Sequence, residues 1–440
     1  MNASEIIIAF IYSIIILVIG FILKSSMSTD RTAKYFMPAL LVKIIGGLAV
    51  GMIYYLYYGG GDTVNYYDYG AVPIFDAFLD SPATAFQMIF GDNVYTTENR
   101  AFSTRIFFFR DSSSYNCIRY AGFFNLFSFN TYSGTVILFA FFSFICVWKL
   151  FQLVANLYPH LTKEMAISFL FLPSVFFWGS GILKDTITFA LLCLLIFNAF
   201  RIYFLKEKII FSSIVIVICT YAIMSIKVYI VIAIVPAIGF LFLYGPIKEI
   251  QNKTIRMLIT PFALGLAIVS GFVGMKAIGE TSDRYNIETL AYTASETAKW
   301  IEFVSKQQGG AVYSLGGDTG DFSALGVLKK TIPAIWVTLF RPHPWEIKNP
   351  VMLLSGIEAL FFLVLFVKVF GLNFRKSRIA MKNNIIIPFS LIFALTFSWA
   401  VGITSYNFGT LVRYKIPMMP FFIMSMYIAR SYIYSLKKQG

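Results

Sequence analysis

Charge is what this chain has least of. Of its 440 residues 13% are Asp, Glu, Lys or Arg and 58% are hydrophobic, whereas soluble domains run at about 25% charged. That balance excludes a soluble globular domain and leaves a polytopic membrane protein. Cysteine is nearly absent. Cys117, Cys146, Cys193 and Cys219 show no CxxC spacing, and the last three sit in apolar runs. A disulfide framework and a thiolate metal site are excluded, and all four read as small buried apolar side chains. The two histidines, His160 and His343, lack the spacing of a His-based zinc motif. No basic stretch precedes the first apolar run and no small-residue cleavage site follows it. It therefore reads as a retained first span rather than a leader. Internal repeats and low-complexity tracts are missing too.

Long apolar runs are abundant. Spans need roughly 17–25 apolar residues, and the runs fall near 5–23, 36–58, 130–156, 164–181, 186–205, 209–226, 229–246, 257–276, 350–370, 385–402 and 411–432. A further run, TIPAIWVTLF at 331–340, is too short to cross. The reading is an all-α polytopic membrane protein: one transmembrane bundle over 1–440, of about eleven helices plus one re-entrant or surface segment. Net charge is +14. On such a chain that reflects Lys and Arg kept on the cytoplasmic side, not nucleic-acid binding. Counting 331–340 as re-entrant puts every basic cluster inside, from Lys24, Arg31 and Lys34 to Lys437 and Lys438. The N-terminus then lies outside. So do two long loops, 59–129 and 278–349, the second ending in the re-entrant segment. The stretches 59–129 and 278–330 hold fourteen of the 22 acidic residues, and loops of this length are usually functional. Amphipathic helices, lying on the membrane interface or on each other, are expected at 71–80 and 286–307.

Unusual polar residues gather at the outer face. YYGGGDTVNYYDYG follows the second apolar run. Its glycines let the backbone turn sharply and approach a ligand, so Asp62 reads either as a general base or as the cap of a turn. Lys184, Arg341, Arg413 and Lys415 lie at span ends in distant parts of the chain. Arg presents a planar fork to phosphate oxygens and Lys a point charge, so these residues read either as a phosphate site or as side chains snorkelling to headgroups. Asp185, His343, Glu346 and Asp68 stand beside them. Glu358 sits two turns into its span, where it needs a partner or a wet cavity. Lys43 reads as snorkelling inward. Tyr66, Tyr67, Tyr69 and Trp345 offer ring faces to a sugar. Arg100, Arg105, Arg110 and Arg119 read chiefly as headgroup contacts.

These segments resemble the GT-C superfamily of membrane glycosyltransferases. GGGDTVNYYDYG looks like the first-loop Asp region of that group. PSVFFWGSGILKDTITFALL resembles a P-x-x-x-x-W-[SG]-x-x-x-[KR]-[DE] segment of its bacterial, PMT-like members. LVRYKIPMMP looks like their R-Y-x-x-P-x-x-P segment, and LFRPHPWE is similar to a segment of surface-polysaccharide polymerase-like proteins. Here the Asp follows the second span rather than the first, and no DxD pair is present. The resemblance implies an inverting transferase in the bacterial inner membrane, working at the outer face in surface polysaccharide or glycolipid synthesis. The donor is a polyprenyl-phosphate- or polyprenyl-diphosphate-linked sugar, the acceptor a glycan or lipid, and the surrounding partners are membrane lipids. Asp62 takes the acceptor proton. Arg413, Arg341, Lys184 and Lys415 hold the leaving phosphate. No cofactor is assigned; a divalent metal is left open, with no residue named as its ligand. The rival is a flippase or other transporter of a polyprenyl-linked glycan, which calls for repeats and broken helices near the midplane. A non-catalytic assembly protein accounts for the loops but not for the buried charges.

Overall fold

The computed structural model describes residues 3–249, 252, 295–296, 299–303, 311–316, 321, 323–348 and 350–438. The expected span at 257–276, most of the helix at 286–307, and Glu280, Asp283, Glu288 and Asp318 lie outside the described residues. Among the described residues the structure is helical, and seven helices are long and apolar enough to cross a membrane. The chain divides into two compact units, Met1–Val228 and Tyr229–Gly440.

In the first unit, α1 (Ala3–Met27) and α2 (Ala33–Met52) are followed by five short elements, α3 (Asp62–Tyr66), α4 (Val72–Asp80), α5 (Pro82–Phe90), α6 (Arg100–Ser103) and α7 (Ser112–Phe127). The long loop at 59–129 is thus a folded helical layer, and α4 occupies the expected amphipathic stretch. Next come α8 (Tyr132–Leu157), α9 (Thr162–Leu170), α10 (Pro173–Trp178) and α11 (Lys184–Phe200). α8 is the central post, packing on α1, α2, α7, α9 and α11. Trp148 is fully buried there among Phe36, Phe144 and Phe151.

The span expected at 164–181 is instead two short helices. Pro173 has no N–H and disfavours helical geometry in the residue before it, and Leu172 is extended. The backbone freed by the break is met by α2. A Cβ at Gly46 would sit 2.4 Å from the Phe176 carbonyl oxygen, and one at Gly47 2.9 Å from that of Ser180. Lys43 does not snorkel. Its buried ammonium donates to the Gly179 carbonyl (2.7 Å) and to Ser143 Oγ (3.0 Å).

The runs at 209–226 and 229–246 form one element, α12 (Ile209–Glu249), whose helical geometry breaks at Lys227. In the second unit follow α13 (Ala324–Phe340), α14 (Pro350–Phe366), α15 (Phe374–Asn383), α16 (Ile386–Ser405), α17 (Phe408–Tyr414) and α18 (Met419–Lys438). The 331–340 segment is the latter part of a 17-residue helix. The span expected at 411–432 is divided by a turn at 415–418. Pro417 explains it, because its ring would strike the carbonyl four residues back. α16 packs on α13 and α18, and Gly402 carries no side chain where a Cβ would lie 2.2 Å from the Ala334 oxygen.

Candidate functional site

The sequence candidates fall into two charged clusters, one in each unit. In the first, Gly59, Gly60 and Gly61 have φ of 68°, 152° and 118°, a conformation costly for any residue with a Cβ. The turn rests on Tyr54: Gly60 N–H donates to the Tyr54 carbonyl (3.0 Å), and a Cβ on Gly61 would press into the Tyr54 ring at 2.8 Å. Asp62 is the first residue of α3, where exposed N–H groups favour a negative charge. Its neighbour Thr63 shares a 2.9 Å hydrogen bond with the buried Tyr132 hydroxyl. That ring needs the bare backbone of Gly51, whose Cβ would lie 2.5 Å from it. Asp62 is therefore gripped on both sides.

Lys184, at the start of α11, donates to Ser113 Oγ (2.8 Å) and lies 3.8 Å from Asp111 Oδ2. Asp62, Asp111 and Lys227 are all within its electrostatic reach. The structure thus brings Asp62, Lys184 and Asp185 together. It adds residues that sequence reasoning missed. Asp185, 1% exposed, pairs with Lys227, 8% exposed, at 2.5 Å. Ser113 Oγ donates to the Ile226 carbonyl and Asn116 Nδ2 to that of Ser225, satisfying groups released by the break at Lys227. The missed signal was Lys227 itself, a lone cation between two apolar runs. Cys117 lies in the same cluster, but burial raises its thiol pKa far above the ordinary range, so it stays protonated and inert.

Asp68 accepts the Tyr55 hydroxyl at 2.9 Å. Burial raises its carboxyl pKa, the Tyr55 bond lowers it and nearby Glu5 raises it again; the net shift is upward. Glu5 accepts the N–H groups of Tyr132 and Ser133, capping α8. Tyr66 and Tyr67 are buried and present no ring face outward, contrary to expectation; Tyr69 is exposed.

In the second unit, Arg341 ends α13. Its Nε is 3.0 Å from both Glu346 carboxylate oxygens, and its Nη2 pairs with the same group. The guanidinium lies over Phe408 (5.1 Å) and Tyr313 (5.9 Å). Glu346 also accepts the His343 N–H at 2.8 Å. Partial burial raises its pKa, but the Arg341 and His343 bonds outweigh that, and the net shift is downward. Lys415, fully buried, donates to the Arg341 carbonyl (3.1 Å) and has Glu358 within electrostatic reach. Glu358 thereby has a cationic neighbour. Arg413 lies over Tyr414 at 5.3 Å. Trp345 is 80% exposed, with its ring 4.8 Å from that of His343. One edge of Arg341, expected to face phosphate, is thus already held by Glu346.

Among the described residues no group of three or more His, Cys, Asp or Glu side chains is arranged to hold a metal ion. No protein-family model, curated protein or solved structure matches this chain.

Proposed function

We propose that the chain is a membrane glycosyltransferase using a polyprenyl-phosphate- or polyprenyl-diphosphate-linked sugar at the outer face of the membrane, in surface polysaccharide or glycolipid synthesis. The topology that accompanies this reading keeps the N-terminus and both long loops outside. The observation that carries it is the fixing of Asp62 between the Tyr54 seat and the Thr63–Tyr132 bond, within reach of Lys184. A base must be held in position before it is useful. In this reading Asp62 takes the proton of an acceptor hydroxyl as its oxygen attacks the anomeric carbon. The bond from that carbon to the donor phosphate breaks, and the lipid phosphate leaves with the electron pair. Lys184 supplies positive charge in the first unit. Arg341, Arg413 and Lys415 are assigned to phosphate binding by the sequence resemblance, each testable alone.

The buried Asp185–Lys227 pair favours a second reading, a transporter of the same lipid-linked glycan, since paired charges within a membrane bundle often mark a path. The test uses purified protein in lipid nanodiscs, a panel of polyprenyl-linked donors, and Asp62→Asn beside the unsubstituted chain. Product from the unsubstituted chain alone, with donor binding kept in the variant, supports the transferase. Equal product from both removes Asp62 as the base. Lipid flipping without product supports the transporter.

A further inference from the structure

The helical layer formed by residues 62–127 carries a ribbon of phenylalanine rings that no part of the reaction uses. Phe75 and Phe78 of α4 lead to Phe86 and Phe90 of α5, then to Phe123 of α7, with successive centroids 6.2–6.4 Å apart. Phe123 continues to Phe127 at 5.2 Å. The ribbon faces outward: Phe90 is 70% exposed and Phe127 58%, with Leu79 and Phe129 exposed beside them. An apolar face of this extent is not left in water by a soluble surface.

Charge is sparse along it: α4 carries only Asp76, paired with Arg105, and Asp80 at its C-terminal end. α5 has no charged residue, and the single one in α7, Arg119, turns back to the Gly91 carbonyl and the Tyr115 ring. The face is also continuous with the spans. Phe124 packs on Phe139 (5.3 Å) and Phe142 (6.0 Å) of α8, and the Phe127 carbonyl accepts the Tyr12 hydroxyl of α1. Tyr12 lies nine residues beyond Ala3, and Phe139 and Phe142 seven and ten beyond Tyr132. At 3.6 residues per turn those are positions about two to three turns along their helices. Helical side chains lean back toward the N-terminus by about a turn, so the contacts fall about one to two turns inside the ends of two candidate spans. The α1 surface around Tyr12 is itself apolar and exposed, as at Phe10 and Ile11.

We infer that this face of α4, α5 and α7 is immersed in the acyl-chain region of the outer leaflet. The segment read as an outer loop is then a half-inserted layer, with its phenylalanine face in lipid and its ion pairs turned to water. The occupant is the bilayer itself, not a second copy of this chain.

Spin labels decide the matter on the full-length protein in phospholipid nanodiscs. Phe90→Cys and Phe127→Cys are labelled in turn, with Phe86→Cys held in reserve should either fail to fold. Glu98→Cys, exposed in the same layer, is the water reference. The four native cysteines are buried, and the labelled parent chain measures their background. Collision with dissolved oxygen relative to a water-soluble nickel chelate should be several-fold higher at 90 and 127 than at 98. A ratio equal to that at 98 overturns the inference in favour of water. Low collision with both reagents overturns it in favour of a covering protein chain.

Discussion

The two charged clusters differ in sign and in the way they are held. In the first unit three carboxylates, Asp62, Asp111 and Asp185, meet two ammoniums, Lys184 and Lys227. In the second, the cations Arg341, Arg413 and Lys415 outnumber the carboxylates Glu346 and Glu358. An acid-rich group suits removal of a proton; a cation-rich group suits an anionic phosphate. The first is knit by ion pairs and side chains clamping broken helices. The second joins the Arg341–Glu346 ion pair to aromatic faces and a carbonyl contact.

The clearest way to break this contrast is Lys227→Met. It leaves Asp185 buried without its ammonium, a loss of about 3–5 kcal/mol for a broken buried pair. The double substitution with Asp185→Leu should regain most of it, read as denaturant midpoints in detergent micelles. Gly51→Ala comes next. Its methyl meets the Tyr132 ring, and overpacking of this kind costs about 1–3 kcal/mol. Tyr132→Phe removes only the hydroxyl bond to Thr63, about 0.5–1.5 kcal/mol. Both should loosen Asp62, seen as faster hydrogen exchange in 60–66 with little change in the second unit.

Glu346 sharpens the contrast through pH. Its folded pKa lies below the ordinary Glu value, so the stability it contributes is present above that value and is lost as pH falls through the folded one. Glu346→Gln should remove this acid-side component, measured as Tm against pH for both chains. The smallest effect belongs to Asp76→Asn. Its partner Arg105 stands at 2.8 Å, but both side chains are substantially exposed, and such pairs contribute about 0–1 kcal/mol.

The apolar periodicity made the long helices legible, because a span is written in one continuous stretch. Asp62, Lys184 and Asp185 were legible as charges at span ends, and the structure gathers them. What stayed hidden depends on partners distant in sequence. Gly46 and Gly47 look like ordinary span glycines until the carbonyls of Phe176 and Ser180 meet them. Lys43 looks able to reach water until Gly179 and Ser143 enclose it. Lys227 acquires meaning only beside Asp185. Pro173 and Pro417 were visible, but a hydropathy window averages across them, which is why two broken segments read as continuous helices. The phenylalanine ribbon was equally hidden, since its rings come from three helices.

The most direct test of the division of labour compares Asp62→Asn with Arg413→Ala on one lipid-linked donor that the parent chain turns over. Asp62→Asn should lower kcat by about 10²–10⁴, the usual share of a general base, with donor affinity unchanged. Arg413→Ala should instead weaken donor binding and leave a larger share of kcat. Full turnover in Asp62→Asn, or donor affinity lost in Asp62→Asn and kept in Arg413→Ala, would contradict the account.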